Sequence, residues 1–162
     1  MVFPEQILTW LSLYNTGKSY FMKLKSLSKQ KIVLASEAKW RSDILNQLHI
    51  PHKCFNHRYD EPRFSGGNLV EFVSNIAVEK ALSIQKLFPD HIIIAADLLI
   101  ELEDEVLGKP GNFERAYAQL SKMNGKVHQL ICAVCVIHQN QVFKDVEIAK
   151  IKMRYLENQE II

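Results

Sequence analysis

The sequence predicts an α/β fold, in which apolar strands alternate with amphipathic helices. Residues 32–35 and 91–96 are short, continuous apolar runs, as expected of strands that are covered on both faces. Between them, the apolar residues of segment 68–88 recur at helical spacing and form one stripe. Further along, Asn112 can cap a helix that runs to Met123. Strands and helices that alternate in this way are typical of α/β proteins.

The remaining elements follow from the same patterns. Residues 127–138 are apolar on both alternating faces and predict another central strand. Residues 146–153 alternate apolar side chains with lysines and predict a half-exposed strand. We also expect, in chain order, a helix over 41–48, a strand near 53–55, a polar loop over 56–67, a strand continuation over 98–102, a turn at 103–105 and the start of a helix over 156–162.

Length and composition indicate one domain with a hydrophobic core. The 162 residues are 48% hydrophobic and 23% charged, an ordinary balance, and the net charge is +2. So small a charge gives no reason to expect a nucleic acid polymer or a membrane as partner, and no apolar run approaches the roughly 20 residues of a membrane span. Three cysteines, an odd number, are typical of reduced thiols, so we expect a cytoplasmic protein.

The first thirty residues differ from the rest of the chain. They end in a basic, serine-containing run, and the pattern of strands and helices begins only after it. We therefore expect an N-terminal extension over residues 1–30, followed by one domain over residues 31–162.

The most informative residue of the predicted long helix is Lys80. It lies on the midline of the apolar stripe, between Ile76 and Ile84. A stripe of this kind normally faces the core, where an ammonium group is costly unless it meets a negative charge. Two interpretations follow. Either the apolar stem of Lys80 extends so that its ammonium reaches solvent, or Lys80 points into a cleft that binds an anion.

Other chemically capable side chains lie near predicted strand ends. Asp97 ends an apolar run, and in open α/β sheets ligands bind outside the carboxyl ends of the strands. Ser36 and Arg41 follow the first strand and lead into a helix, an arrangement that offers N–H groups and a guanidinium to an anion. Lys109 precedes another helix, and Glu61 lies in the polar loop. Together these cations and acids are the residue types that a metal-assisted phosphate site uses.

One further cluster has an ordinary explanation. His49, His52, Cys54 and His57 lie close together in the sequence but are spread over a helix end, a strand and a loop. We therefore do not expect them to form a closed tetrahedral metal site.

The order and spacing of several separated motifs resemble the Maf family of nucleoside triphosphate pyrophosphatases. The resemblance runs from about residue 31 to the C-terminus and depends on the motifs occurring in the right order. The motifs are Leu34-Ala35-Ser36-x-x-x-Trp40-Arg41, Asp60-Glu61, Ala77-x-x-Lys80-Ala81, Ile93-Ile94-x-x-Asp97, Leu107-Gly108-Lys109-Pro110 and Asn124-Gly125-Lys126-x-His128.

The resemblance implies a fold, a reaction and a set of site residues. The fold is a mixed α/β sheet with flanking helices and a cleft between two lobes, similar to that of the inosine triphosphate pyrophosphatases. The reaction hydrolyses a nucleoside triphosphate between its α and β phosphates, with a divalent metal such as Mg²⁺ or Mn²⁺. The matched positions are Asp97 for the catalytic proton acceptor, Ser36, Arg41, Lys80 and Lys109 for phosphate contacts, and Glu61 with Asp97 for the metal.

Two positions bear on the base of the substrate. Trp40 stands where the dTTP/UTP-cleaving branch of the family usually has arginine, and it looks like the branch that cleaves 7-methyl-GTP. A cationic methylated purine would stack favourably on an indole face. Leu98 replaces a polar residue that is linked to base choice. We therefore expect 7-methyl-GTP or another modified nucleotide as substrate, with dTTP or UTP as the alternative.

The resemblance also implies that the C-terminal part of the family's fold is missing. Members continue past the position of Ile162 with further strands and a helix that complete one side of the cleft. A catalytically weak remnant that binds nucleotide or a protein partner is therefore the alternative to an active enzyme. We also expect an open sheet edge near residues 146–153, where a second copy of the chain can pair in a homodimer.

Overall fold

A six-stranded mixed sheet forms the centre of the fold. The computed structural model describes residues 30–139 and 141–161. The strands are β1 (Ile32–Leu34), β2 (Lys53–Cys54), β3 (Ile92–Leu102), β4 (Glu105–Leu107), β5 (Val127–His138) and β6 (Gln141–Lys152). The helices are α1 (Lys39–Gln47), α2 (Leu69–Gln85), α3 (Phe113–Met123) and α4 (Asn158–Ile161).

The strand order is β2-β1-β3-β5-β6, and β4 also pairs with β3. The β1 strand runs parallel to β2 and β3, whereas β4 and β5 are antiparallel to β3, and β6 is antiparallel to β5. The predicted α/β class with a mixed sheet is therefore confirmed. Of the expected N-terminal extension, residues 1–29 lie outside the described residues.

One edge of β3 is open in the middle. The β5 strand pairs along one edge of β3, opposite residues 93–101, so β1 and β4 must both use the other edge. There β1 pairs with residues 92–94 and β4 with residues 100–102. In the part of the chain that the structure describes, no strand pairs with residues 95–99 on this edge. Asp97 lies at the midpoint of this open stretch.

Helix α2 covers one face of the sheet, as its apolar stripe predicts. Its N-terminus is capped by Asn68, whose side chain accepts a hydrogen bond from the Glu71 N–H at 3.1 Å. Because side chains alternate along a strand, the odd-numbered residues of β3 and β5 face this helix. The packed residues are Leu69, Val73, Ala77, Ala81 and Ile84 of α2 with Ile93, Ala95, Ile131, Ala133, Cys135 and Ile137 of the sheet.

A second, smaller apolar cluster lies beyond the open stretch of β3. Leu102 and Leu107 of the β3–β4 hairpin pack there with Met123 at the end of α3. The N-terminus of α3 is capped by Asn112, as predicted, because the Asn112 side chain accepts from the Arg115 N–H at 2.9 Å. The open stretch thus lies between two packed regions, one centred on α2 and one on the end of α3.

Strand β3 ends at Leu102, where the expected continuation over residues 98–102 places its end, whereas β6 is longer than the sequence predicts. Asp97 follows the apolar run but lies within β3 rather than at its carboxyl end. The strand continues because β5 pairs with it past Asp97 as far as Glu101. In the same way, β6 begins at Gln141 rather than near residue 146, because pairing with β5 sets its length.

Strand β4 was not predicted. The chain reverses through Glu103 and Asp104, which have φ values of 51° and 64°. Positive φ at both central residues is the conformation of a tight hairpin turn, for which Asn-Gly or Asp-Gly is the usual signal. Because neither residue is glycine or asparagine, the sequence indicates a turn but not a hairpin.

None of the described helices combines the length and the apolar character needed to span a membrane.

Candidate active site

Lys80 and Asp97 form a buried ion pair at the open stretch of β3. Lys80 is 3% exposed and Asp97 is 5% exposed. The Lys80 Nζ donates to Asp97 Oδ1 at 2.6 Å. The pair forms because the stripe of α2 and the odd-numbered residues of β3 face each other. The interpretation in which Lys80 extends to solvent is therefore wrong, and its ammonium is held by negative charge inside the protein.

Glu61 joins this pair from the loop between β2 and α2. Its Oε1 lies 3.1 Å from the Nζ of Lys80 and 3.8 Å from the Nζ of Lys109, whose side chain is 90% exposed. Burial raises the pKa of Glu61, but the hydrogen bond from Lys80 and the charges of Lys80, Lys109 and His57 outweigh it. The pKa of Glu61 therefore lies below its ordinary value. Glu61 is a carboxylate at neutral pH.

His57 belongs to the same cluster, although it was not among the predicted site residues. Its Nε2 lies 3.5 Å from Oε1 of Glu61, and its Nδ1 is buried with no hydrogen-bond partner among the described residues. Burial lowers the pKa of His57, and the charge of Lys80 lowers it further, against the opposing effect of Glu61. A spacing of four residues within a loop carries no structural information, so only the folded loop reveals this contact.

Ser36 holds Arg41 at the end of β1. The buried Ser36 Oγ accepts from the Ala38 N–H at 3.1 Å and from Nη1 of Arg41 at 3.2 Å. Burial lowers the pKa of Arg41, while the negative charges of Asp97 and Glu61 act in the opposite direction. Arg41 thus lies within electrostatic reach of both acids. Its Nε is buried and has no hydrogen-bond partner among the described residues, so it is an unsatisfied donor.

Trp40 and Leu98 lie in different surroundings from the acids. The Trp40 side chain is half exposed, and the guanidinium carbon of Arg41 lies 4.5 Å from the centre of its ring. Leu98 follows Asp97 in β3, so its side chain points to the opposite face of the sheet, alongside Cys132 of β5. The fold therefore does not bring the side chain of Leu98 together with Asp97.

Backbone groups also face the open stretch. The Ala35 N–H donates to the Ile94 carbonyl at 2.7 Å, so the peptide groups of Ile94 point towards this edge. Because peptide groups alternate along a strand, those of Ala96 and Leu98 point the same way. Backbone groups that lack a strand partner are satisfied by water or by a ligand. The edge beside Asp97 therefore offers donors and acceptors as well as charge.

Two carboxylates of the site have the chemistry of ligands for a divalent metal. Within the described ranges, no group of three or more histidine, cysteine, aspartate or glutamate side chains is placed to hold a metal alone. Glu61 and Asp97 nevertheless provide two carboxylates that meet on Lys80. Mg²⁺ is usually bound through one or two carboxylates, substrate phosphates and waters, so this donor set suits it.

Comparison with known proteins identifies the family. Residues 31–162 match the family model described as Maf-like protein. The chain belongs to this family. A dTTP/UTP pyrophosphatase of Pyrococcus abyssi is 38% identical over 125 residues, which are 77% of this chain and 66% of that protein. A 7-methyl-GTP pyrophosphatase of Albidiferax ferrireducens is 32% identical over 127 residues, which are 78% of this chain and 64% of that protein.

The chain is thus similar both to proteins named dTTP/UTP pyrophosphatase and to a protein named 7-methyl-GTP pyrophosphatase. Another dTTP/UTP pyrophosphatase, from Aquifex aeolicus, is 36% identical over 132 residues, which are 82% of this chain and 69% of that protein. The chain spans about two thirds of the length of these curated relatives. A solved structure of a Vibrio cholerae protein overlays with a TM-score of 0.43 at 9% identity, covering 76% of this chain and 64% of that chain.

Proposed function

We propose that this Maf-like chain is a nucleoside triphosphate pyrophosphatase. It hydrolyses the bond between the α and β phosphates and releases the monophosphate and pyrophosphate. The observation that carries this proposal is the cluster at the open stretch of β3, where Asp97 and Glu61 meet Lys80 with Arg41 and Lys109 close by. The similar proteins of Pyrococcus abyssi and Albidiferax ferrireducens, both named pyrophosphatases, support the same reaction.

Five residues of the site have a role in this mechanism. Asp97 takes the proton of the attacking water as a general base. The exposed Lys109 and the guanidinium of Arg41 bind phosphate oxygens and stabilise the charge that develops on them. Glu61 and Asp97 would hold Mg²⁺ or Mn²⁺, which when bound neutralises charge on the phosphates. Ser36 keeps the Arg41 guanidinium in place through its hydrogen bond.

The first prediction concerns the products. Incubation of the purified protein with a nucleoside triphosphate and Mg²⁺ should release pyrophosphate and the monophosphate. Ion chromatography separates these products from orthophosphate and a nucleoside diphosphate, whose appearance would contradict the proposed bond cleavage. If the protein binds the nucleotide without releasing any product, it is the binding remnant instead.

The second prediction concerns the base of the nucleotide. We propose 7-methyl-GTP as the substrate, because the half-exposed indole of Trp40 offers a stacking surface for a cationic purine. A nucleotide panel should then give the highest kcat/KM with 7-methyl-GTP, and Trp40→Ala should lower that value about twofold to thirtyfold, the range of one cation–π contact. The same variant should change hydrolysis of dTTP and UTP little. A preference of the wild type for dTTP or UTP would favour the alternative substrate.

A further inference from the structure

Lys80 already occupies the space between the two carboxylates that a metal would use. Its Nζ lies 2.6 Å from Asp97 Oδ1 and 3.1 Å from Glu61 Oε1. The side chain is 4% exposed, so the ammonium is turned towards the acids rather than presented to solvent. A phosphate-binding lysine has to reach its ligand, and Lys80 in this arrangement does not.

We propose that Lys80 is the resident counter-ion of this site. It neutralises Asp97 and Glu61 in the absence of substrate, opposes the binding of a free divalent cation, and releases at least one carboxylate when the metal binds. This inference rests on the proposed function, because only that function requires a metal between these acids. Two cations close to the same oxygens repel each other strongly when solvent is excluded.

The other cations of the site are poorly suited to this role. Lys109 lies 3.8 Å from Glu61 and is almost fully exposed, so water and salt screen its charge. Arg41 donates its Nη1 to Ser36. Among the described residues, Lys80 is the buried cation that contacts both acids, and its charge is therefore the one that a metal meets.

The inference also explains how a metal can enter. A metal that arrives bound to a triphosphate brings negative charge with it, and those phosphates can compensate the positive charge of Lys80. Free Mn²⁺ brings no such compensation. The wild-type protein should therefore bind free Mn²⁺ weakly, and removal of the Lys80 charge should remove the obstacle.

The test measures Mn²⁺ binding without nucleotide, by the loss of the electron paramagnetic resonance signal of free Mn²⁺. The neutral variant Lys80→Met, of similar shape, should bind Mn²⁺ at least about tenfold more tightly than the wild type. Lys126→Met is the matched control, because the Nζ of Lys126 lies 2.9 Å from Oε2 of Glu103 in the exposed β3–β4 turn and not at the candidate site. It should bind Mn²⁺ as the wild type does. Equal or weaker binding by Lys80→Met, or no detectable binding by either protein, would overturn the inference.

A second measurement does not depend on the stability of a variant. In wild-type protein labelled with ¹⁵N-lysine, the ammonium resonance of Lys80 should shift as Mg²⁺ and pyrophosphate are added together. An unchanged resonance at concentrations that shift other site signals would overturn the inference. Pyrophosphate release is assayed separately. If the wild type releases pyrophosphate but Lys80→Met does not bind Mn²⁺ more tightly, only the counter-ion role is refuted. If Lys80→Met binds Mn²⁺ more tightly but the wild type releases no pyrophosphate, only the proposed reaction is refuted.

Discussion

At the scale of single residues, the chemistry depends on the buried carboxylate of Asp97 and its ion pair with Lys80. Its carboxylate is almost fully buried, and its hydrogen-bonded partner is the ammonium of Lys80. Removing one member of a buried ion pair leaves the other charge uncompensated, which is strongly destabilising. A substitution that keeps the shape and polarity of Asp97 is therefore more informative than a truncation.

Replacement of Asp97 by asparagine should remove the base while keeping its shape. We expect Asp97→Asn to lower kcat by at least about 10²-fold, the range typical of general-base catalysis. Asp104→Asn is a matched control, because Asp104 lies exposed in the β3–β4 turn at φ 64°, which asparagine tolerates. Steady-state rates of both variants give the comparison, and circular dichroism shows whether each is folded. Unchanged turnover of Asp97→Asn would mean that another group acts as the base.

At the scale of elements, α2 places Lys80 opposite β3. The helix begins directly after Asn68, and its buried stripe holds the register in which Lys80 meets Asp97. Strand β3 presents Asp97 on the α2 side only because its register with β5 puts the odd-numbered residues there. A shift of one residue would turn Asp97 to the other face.

The cap of α2 should therefore matter to both stability and activity. Asn68→Ala removes the side-chain oxygen that accepts from the Glu71 N–H, which should lower the free energy of unfolding by about 1 kcal/mol. Asn75→Ala serves as the control, because Asn75 is exposed in the middle of the same helix, where alanine is the better helix former. Urea unfolding should therefore show a lower free energy of unfolding for Asn68→Ala and a higher one for Asn75→Ala. Equal destabilisation by both would show that the cap contributes nothing.

At the scale of the whole molecule, the sheet ends in β6 within the described part of the chain. This twelve-residue strand pairs with β5 on one side, and it carries exposed apolar side chains at Val142, Phe143 and Ile148. An edge strand with unpaired backbone groups is a template for pairing with another chain. Charged residues at positions 144, 145, 147, 150 and 152 weaken this tendency but leave the three apolar side chains exposed.

We therefore expect concentration-dependent self-association through β6. Ile148→Lys places a charge at a position that is 44% exposed, and it should shift the molar mass measured by light scattering towards the monomer. Leu82→Lys makes the same chemical change on the outer surface of α2, away from the edge, and should leave association unchanged. A wild-type protein that is monomeric at every concentration would contradict the expected homodimer.

Local patterns predicted the elements that carry their own periodicity. The helical stripe around Lys80 and the apolar run of β5 could be predicted from the sequence, because burial of one face or of both faces requires apolar residues at regular positions. The start of β6 could not be predicted in this way, because its partner strand β5 decides how far it extends. Strand β4 has three residues and too short a pattern to detect.

The candidate site shows the same division. The sequence marked Ser36, Arg41, Glu61, Lys80, Asp97 and Lys109 as chemically capable residues, and the structure brings them to one edge of β3. It could not reveal that His57 touches Glu61, because a loop contact depends on the whole path of the loop. Leu98, which we expect to bear on the choice of base, lies on the opposite face of the sheet from Asp97, because neighbours in a strand face opposite ways.

By itself, the sequence determined the fold class, the Maf-like family and the set of charged side chains available for phosphate chemistry. These properties follow from residue type and from short-range spacing, which the chain carries before it folds. Only the tertiary structure decided that β1 and β4 leave β3 open around Asp97 and that Lys80 lies between two acids. Both depend on strand pairing and helix packing between segments far apart in sequence, where contacts are set by the burial of the whole core rather than by any local pattern.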